Sequence, residues 1–292
     1  MADLRSWVSG ARLRTLPLAV APVALGAATA EATQNFDLVL SLGALAVALF
    51  LQIAVNYAND YSDGVRGTDD YRVGPKRLTG SGEARPKDVK LVAFSFFGLA
   101  AIIGLALIIA TAQYWLLALG AFAILAAWYY TGGKHPYGYA GLGELVVFVF
   151  FGLVATVGTN YLQTLSIDPL AVVMGSAAGF YASAVLLINN IRDIETDTKA
   201  GKKTLAVRLG DRRSRVLFLF LIYIPLAINI LLILIYPATL LGLLNILLLV
   251  PISGIALSAK TPKELITGLK LTSYAGLGYG LLVGGGIALV NF

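Results

Sequence analysis

The sequence predicts an all-α, polytopic membrane protein that crosses the bilayer with about nine helices. Of its 292 residues, 58% are hydrophobic and only 13% are charged, which leaves too little polar surface for a water-soluble domain of this length. Apolar runs of about 17 to 25 residues, long enough to cross the hydrocarbon core, recur along nearly the whole chain. The predicted spans are 15–34, 38–57, 91–111, 114–131, 142–162, 168–190, 216–236, 238–258 and 272–291.

The first span follows a short basic stretch, and no small-residue cleavage site with a soluble domain comes after it. We therefore expect this span to be retained rather than removed as a signal peptide, and residues 1–292 to form a single transmembrane domain. The sequence has no cysteine, which excludes disulfides, thiolate metal sites and a cysteine nucleophile. Its one histidine, His135, cannot form a histidine metal cluster.

The basic residues predict the orientation of the chain in the membrane. All 22 Lys and Arg residues lie before span one, between spans two and three, or after spans four, six and eight. With nine spans these segments share one side of the bilayer, which the positive-inside rule assigns to the cytoplasm. We therefore expect a cytoplasmic N-terminus. The same distribution explains the net charge of +6 without nucleic-acid binding.

A first polar cluster, "NYANDYSDGVRGTDD", begins at residue 56, where the second span ends. If the helix continues into this cluster, four side chains that carry oxygen atoms share one helical face, at positions i, i+3, i+4 and i+7. We expect Gly64 and Gly67 to end the helix, so that Asp69 and Asp70 fold back towards the same point. The four side chains are those of Asn56, Asn59, Asp60 and Asp63.

A second cluster, "NNIRDIETDTKAGKKTLAVRLG", begins at residue 189, at the end of the sixth span. Asn189, Asp193 and Asp197 are spaced at i, i+4 and i+8, which predicts one helical stripe. The two long loops that carry the clusters lie on the same predicted side of the membrane. Two groups of acidic residues are therefore expected to face each other.

Closely spaced carboxylates repel one another near lipid, so a cation must offset them. Oxygen ligands without His or Cys suit a hard ion, and Mg²⁺ binds through one or two carboxylates while sharing phosphate oxygens of a substrate. Lysine and arginine donors next to such a metal site favour a phosphate-rich ligand. The basic residues nearest the acids are Arg66, Lys76, Arg77, Lys202, Lys203 and Arg208.

The segments "NDYSD" and "RDIETD" resemble the two aspartate-rich motifs of the UbiA superfamily of intramembrane prenyltransferases. More narrowly, "ARLRTLPLAVAPV", "NDYSDGVRGTD", "YTGGKHPYGYAGLGE" and "GKKTLAVRLG" resemble the branch that prenylates 1,4-dihydroxy-2-naphthoate. Gly67 stands where the general pattern has a third aspartate, and Asp69 follows two residues later. The naphthoate branch shares this shift.

The resemblance implies a helical bundle around a central cavity, capped by the two cytoplasmic loops and open to lipid. Two Mg²⁺ ions would bridge the diphosphate of the substrate, and Asp60, Asp63, Asp193 and Asp197 would carry the catalysis. The implied metal ligands are Asn59, Asp60, Asp63, Asp69, Asp193 and Asp197. The implied diphosphate ligands are Arg77, Lys202 and Arg208, with Arg66 and Lys76 behind them. The candidate acceptor-binding residues are Arg14, Tyr130, Lys134, Asn189 and Asn190, with His135 ranked last.

The reaction implied by the resemblance transfers a polyprenyl group from polyprenyl diphosphate to the carbon of 1,4-dihydroxy-2-naphthoate that bears the carboxylate. Diphosphate and CO₂ leave, and demethylmenaquinol forms in menaquinone biosynthesis. The expected location is the bacterial inner membrane, with the active-site loops in the cytoplasm.

Two other classes of protein fit parts of the sequence. A CDP-alcohol phosphotransferase carries "DxxDGxxAR", and residues 60–64 match its first five positions, but Gly67 and Thr68 stand where Ala and Arg are needed. A transporter usually places ionisable residues near the middle of the membrane, whereas these acids lie at helix ends. Within the superfamily, 4-hydroxybenzoate, homogentisate and other acceptors remain alternatives to the naphthoate.

Overall fold

The computed structural model describes residues 2–69 and 74–289, so Asp70 lies outside the described residues. Within these ranges the chain is helical, with no β-strand. The α-helices are α1 (Leu4–Gly10), α2 (Pro17–Ala32), α3 (Leu38–Val65), α4 (Pro86–Thr111), α5 (Leu116–Tyr129), α6 (Gly143–Val147), α7 (Ala155–Thr164), α8 (Pro169–Arg192), α9 (Ile194–Lys199), α10 (Leu205–Leu209), α11 (Asp211–Leu232), α12 (Ile246–Ser258) and α13 (Pro262–Ala288). Short 3₁₀ segments cover Leu13–Thr15, Tyr137–Ala140 and Pro237–Asn245, and a π-helix covers Phe148–Val154.

Within the described residues, each of the nine predicted spans falls largely on helix. In the described part of the chain, six helical segments are long and apolar enough to cross a membrane. A seventh qualifies if the bent pair Leu4–Thr15 and Pro17–Ala32 counts as one span. Two predicted spans lie on helices outside this set: α5, which has only 14 residues, and the glycine-rich α13. The membrane bundle is confirmed, while the count of nine stays a prediction.

Helix α8 lies at the centre of the bundle. About 72% of its most apolar stretch is buried, against 22% for α3 and for α4. It packs against α2, α11, α13 and the π-helix. The core therefore surrounds α8, while the helices at the periphery turn apolar side chains outwards, as expected where lipid replaces water.

Glycine allows two close helix contacts around this core. A Cβ added at Gly280 of α13 would lie 2.9 Å from the Cα of Ala21 in α2, and one at Gly152 would lie 2.4 Å from the Cα of Gly179 in α8. Both distances are too short for any side chain. Small residues at these contacts let the backbones approach closely, which is the usual basis of packing between membrane helices.

The long helix α3 carries the first polar cluster. It continues to Val65 and has 28 residues, which corresponds to a length of about 42 Å and exceeds the ~30 Å hydrocarbon core. Its last turns can therefore lie beyond the hydrocarbon. Gly67 follows the end of the helix with a φ of 74°, which confirms its predicted role as a helix breaker. Gly64 instead lies inside the helix, where a Cβ would meet Thr79 at 2.5 Å.

The second polar cluster does not form one continuous helix, so the predicted stripe is interrupted at Asp193, although Asn189, Asp193 and Asp197 line one cavity. Helix α8 ends at Arg192, and Asp193 is a cap residue with φ −99° and ψ 6°. The Asp193 carbonyl accepts a hydrogen bond from the Thr196 hydroxyl at 3.0 Å, a side-chain bond of the kind that competes with regular helix. The chain then restarts as α9.

Candidate active site

A cavity of about 400 Å³ follows α3 from Ala44, near its start, to Asp63, near its end. This corresponds to about 28 Å along the helix. The cavity is mostly apolar, and its acidic side chains lie at the Asp63 end. The polar lining at this end includes Asn56, Asn59, Asp63, Arg77, Tyr130, Thr131, Tyr139, Asn189, Asn190, Asp193, Asp197 and Lys202.

One wall of the cavity is the broken helix formed by α6, the π-helix and α7. Its lining residues recur as pairs every four positions, at 146–147, 150–151, 154–155 and 158–159. A regular α-helix has 3.6 residues per turn and would rotate such a series away from the cavity. The π-helix, with its wider i→i+5 turns, slows that rotation. It therefore keeps the same face of the broken helix on the cavity.

Asp63 lies at the centre of the polar end, and its side chain is 3% exposed. It forms an ion pair with Arg77 and accepts a hydrogen bond from the Tyr139 hydroxyl. The Lys202 Nζ lies 3.3 Å from Asp63 Oδ1. Helix α3, the segment after it, the 3₁₀ turn that carries Tyr139 and the second polar cluster therefore meet at one carboxylate.

Arg77 contributes a fixed positive charge. Its Nη1 donates to the Asn59 carbonyl at 3.0 Å and lies 3.1 Å from Asp69 Oδ2. Burial by itself would lower the pKa of Arg77, but the carboxylates of Asp63 and Asp69 outweigh it and raise that pKa above its usual value. Asp69, predicted as a metal ligand, does not line the cavity. It forms an ion pair with Arg77 instead.

Asp60, also predicted as a metal ligand, is turned away from the cavity. Its two oxygens accept hydrogen bonds from the backbone N–H groups of Leu78 and Thr79, at 2.9 and 2.8 Å. Because adjacent helical positions differ by about 100°, Asp60 lies beside the face that carries Asn59 and Asp63. Its carboxylate anchors the loop that supplies Arg77.

The second cluster brings Asp193 and Asp197 to the same cavity, despite the helix break. Asp193 is held by its neighbour Arg192 through two hydrogen bonds, one of them 2.7 Å long. Lys202 Nζ lies 4.0 Å from Asp197 Oδ1. Since the same ammonium group reaches Asp63, Lys202 bridges the two acidic clusters.

Tyr139 is a site residue that the spacing of acids did not indicate. Its hydroxyl contacts Asp63, and the Lys202 Nζ lies 4.6 Å from the centre of its ring. Burial, and then the nearby Asp63 carboxylate, raise the pKa of Tyr139 above its ordinary value, so the hydroxyl remains a hydrogen-bond donor. The stretch "YTGGKHPYGYAGLGE", which carries the family resemblance, was the only sequence signal for it.

Several predicted basic residues are not among those that line the cavity. Arg66 donates to the Gly133 carbonyl at 2.5 Å, and Arg208 donates to the Lys203 carbonyl at 3.1 Å. Both side chains are exposed. The other predicted residues outside the lining are Arg14, Lys76, Lys134 and His135. The diphosphate and acceptor roles assigned to these residues stay predictions.

The acceptor candidates that do line the cavity are Tyr130, Asn189 and Asn190. Asn189 Nδ2 lies 3.5 Å from Asp193 Oδ2, the limit of a hydrogen bond. Asn190 Nδ2 donates to Glu144 Oε1 at 2.8 Å. Glu144 lies at the start of α6 and is another residue that the sequence analysis did not single out.

The donors at the polar end fit a hard cation by their chemistry. The oxygens of Asn59, Asp63, Asp193 and Asp197 line one cavity, and oxygen-only ligands suit Mg²⁺. Within the described residues, however, no three acidic or histidine side chains come close enough to hold a metal by themselves. Arg77, Arg192 and Lys202 engage three of these carboxylates, and the six-residue ligand set stays a prediction.

Solved structures with the same fold confirm the architecture. The apo structure of a UbiA homologue from Aeropyrum pernix K1 matches with a TM-score of 0.68 over 94% of this chain and 98% of that chain, at 17% identity. A UbiA homologue from Archaeoglobus fulgidus bound to DMAPP and Mg²⁺ matches with a TM-score of 0.62 over 94% of this chain and 98% of that chain, at 19% identity.

Sequence relatives are much closer. The chain is 48% identical over 288 residues to the 1,4-dihydroxy-2-naphthoate octaprenyltransferase of Mycobacterium tuberculosis, covering 99% of this chain and 98% of the relative. It is 42% identical to the Escherichia coli protein of the same name over 218 residues, which covers 72% of this chain and 70% of the relative. The model of the UbiA prenyltransferase family matches residues 19–263. The chain belongs to the UbiA prenyltransferase family.

Proposed function

We propose that the protein transfers a polyprenyl group from polyprenyl diphosphate to 1,4-dihydroxy-2-naphthoate, with release of diphosphate and CO₂, in menaquinone biosynthesis. The observation that carries the proposal is a long apolar cavity closed at one end by paired acids and bases. This arrangement suits a substrate with an apolar tail and an anionic head. The naphthoate acceptor follows from relatives at 42–52% identity that carry that name.

The diphosphate binds at the polar end in this proposal. Arg77 and Lys202, two of the bases that line the cavity, donate to its oxygens. Asn59, Asp63, Asp193 and Asp197 would hold Mg²⁺, with two ions as the predicted stoichiometry. When bound there, the metal would supply neutralisation of the charge on the departing diphosphate. Arg77 and Lys202 contribute to the same stabilisation, which is strong in a site shielded from water.

The prenyl tail follows the apolar wall towards the start of α3. Two glycines, Gly120 of α5 and Gly158 of α7, line the cavity. A Cβ added at either position would have no neighbour within 4 Å. Both therefore border open space. The apolar wall also excludes water from the allylic cation that remains when diphosphate leaves.

The aromatic acceptor binds beside the polar end, next to Tyr130, Asn189 and Asn190. These side chains lie near Asp193 and therefore near the reacting end of the prenyl chain. In the reaction, a bond forms between the prenyl carbon and the ring carbon that bears the carboxylate. The bond from the ring to the carboxylate then breaks and its electrons return to the ring, so CO₂ leaves without a reductant.

Residues 1–292 form one transmembrane domain in this proposal, with a cytoplasmic N-terminus in the bacterial inner membrane. The family model supports a single unit because it covers residues 19–263 without interruption. The placement of all Lys and Arg residues in alternate connections supports the orientation. The acids, Arg77 and Lys202 then face the cytoplasm, where soluble diphosphate is released.

The test is product formation by the purified protein in detergent, with a polyprenyl diphosphate and either 1,4-dihydroxy-2-naphthoate or 4-hydroxybenzoate, with and without Mg²⁺. We expect metal-dependent prenylation of the naphthoate and release of one CO₂ per product. Prenylation of 4-hydroxybenzoate alone would contradict the acceptor and leave the transferase assignment intact. No transfer to either would contradict both.

A further inference from the structure

Glu144 is a buried carboxylate without a cationic partner. Its residue exposure is 6%, and among the described residues no Lys or Arg lies within ion-pair distance of it. Its Oε1 accepts from Asn190 Nδ2 at 2.8 Å, while its Oε2 has no hydrogen-bond partner. An unpaired charge of this kind is costly in a membrane bundle and usually marks a functional residue.

The packing around Glu144 does not require a carboxylate. The Ser183 hydroxyl donates to the backbone carbonyl of Glu144 at 2.8 Å, and this bond is independent of the side chain. The bond that does depend on the side chain leads to Asn190, which lines the cavity. Asn190 is therefore the hydrogen-bonded link between the Glu144 side chain and the cavity.

Glu144 determines which atom Asn190 turns towards the cavity. The NH₂ group of Asn190 faces Glu144 in the structure, which is the orientation that a carboxylate requires because it can only accept a hydrogen bond. The carbonyl oxygen of the amide, Oδ1, is then directed elsewhere. Within the described part of the chain it has no hydrogen-bond donor, and it is not among the fully buried unpaired oxygens. It is open to the cavity as an acceptor.

We propose that Glu144 is a positioning residue for the aromatic acceptor, because it holds Asn190 with Oδ1 towards the cavity, where this oxygen accepts a hydrogen bond from a ring hydroxyl. The inference rests on the proposed function. In 1,4-dihydroxy-2-naphthoate the hydroxyl next to the carboxylate bonds to that carboxylate internally. The 4-hydroxyl is free to donate and is therefore the group that Asn190 recognises.

The test measures binding rather than turnover. Fluorescence titration of the purified protein gives the Kd of 1,4-dihydroxy-2-naphthoate and of 1-hydroxy-2-naphthoate, which lacks the 4-hydroxyl. We expect the wild-type protein to prefer the dihydroxy compound by about tenfold, as one buried hydrogen bond predicts. Glu144→Met removes the acceptor for the Asn190 amide at similar volume. We expect it to reduce the preference to within twofold, with the Kd of a prenyl diphosphate unchanged.

Three further variants separate positioning from general damage. Glu144→Gln keeps an oxygen that can accept from Asn190, so the preference should stay within about threefold of the wild-type value. Ser183→Ala removes only the backbone contact of Glu144 and should preserve the preference fully. In an Asn190→Ala background the preference should already be lost, and Glu144→Gln should change it no further. If Glu144→Met does not fold, Glu144→Leu replaces it, and it should also reduce the preference to within twofold.

Two results would overturn the proposal. One is a tenfold preference that persists in Glu144→Met or in Asn190→Ala. The other is an equal loss of affinity for the naphthoate and the prenyl diphosphate, which would indicate a structural role for Glu144. If the wild-type protein binds neither naphthoate, both this proposal and the proposed acceptor are wrong. A persistent preference, by contrast, would leave the proposed function intact.

Discussion

The ammonium group of Lys202 lies 3.3 Å from Asp63 Oδ1 and 4.0 Å from Asp197 Oδ1. One cation therefore bridges two acidic clusters that are far apart in the sequence. The backbone N–H of Lys203 also donates to the Tyr139 carbonyl at 2.9 Å. Three segments are thereby joined at the polar end of the cavity.

Asp63→Asn and Asp193→Asn should each reduce turnover by at least about a hundredfold, because each removes a charged oxygen ligand at the reacting end of the cavity. The measurement is kcat for prenyl transfer in detergent. The matched control is Asp88→Asn, since Asp88 lies in the first turn of α4 and pairs with the exposed Arg85. Near wild-type turnover in either active-site variant would contradict the assignment.

Arg77→Gln should weaken prenyl diphosphate binding by about tenfold or more and leave naphthoate binding within twofold. Arg77 is a fixed cation at the proposed diphosphate end of the cavity. Burial by itself would lower its pKa, but the carboxylates of Asp63 and Asp69 raise it above its usual value. Separate titrations with each substrate measure this. Equal loss of both affinities would show that Arg77 only maintains the fold of the site.

Asp60→Ala should lower stability rather than turnover. The variant leaves the N–H groups of Leu78 and Thr79 without their carboxylate acceptor, and each such bond contributes about 1.5–3 kcal/mol. A clear fall in Tm with kcat within about threefold of wild type is expected. Unchanged Tm with lost turnover would instead restore the sequence-based prediction that Asp60 is a metal ligand.

Tyr139→Phe should reduce kcat by about tenfold, because the variant lacks the hydroxyl that donates a hydrogen bond to Asp63. Burial and Asp63 raise the pKa of Tyr139 above its ordinary value. A tyrosine with a raised pKa stays protonated through the neutral range, so the ratio of wild-type to variant kcat should be constant from pH 6 to 9. A ratio that falls with pH in that range would show that the hydroxyl ionises.

Gly120→Leu should shorten the prenyl chain that the enzyme prefers. The new side chain would fill open space beside the apolar wall of the cavity. We expect kcat/KM to fall severalfold for an octaprenyl donor and to change by less than twofold for a geranyl donor. The matched control is Gly254→Leu, because Gly254 also has open space around it but does not line the cavity. Equal effects on both donors would contradict this path for the tail.

The sequence alone determined the membrane bundle, the helix positions and the polar clusters. Apolar runs must satisfy their backbone groups as helices in lipid, so length and composition are sufficient to locate them. The i+3 and i+4 spacing also indicated that Asn59 and Asp63 share a face of α3. The family resemblance further identified Arg77 and Lys202, both of which line the cavity.

Only the tertiary structure decided which polar residues meet. Asp60 and Asp63 differ by three positions, yet one binds loop N–H groups and the other lines the cavity. Tyr139 and Glu144 lie in the segment 130–144, far along the chain from the acids, and no local pattern links them to those acids. These contacts depend on how the loops return across the bundle. The packing of α8 against its neighbours fixes the paths of the loops, and the spacing of residues within one segment cannot encode them.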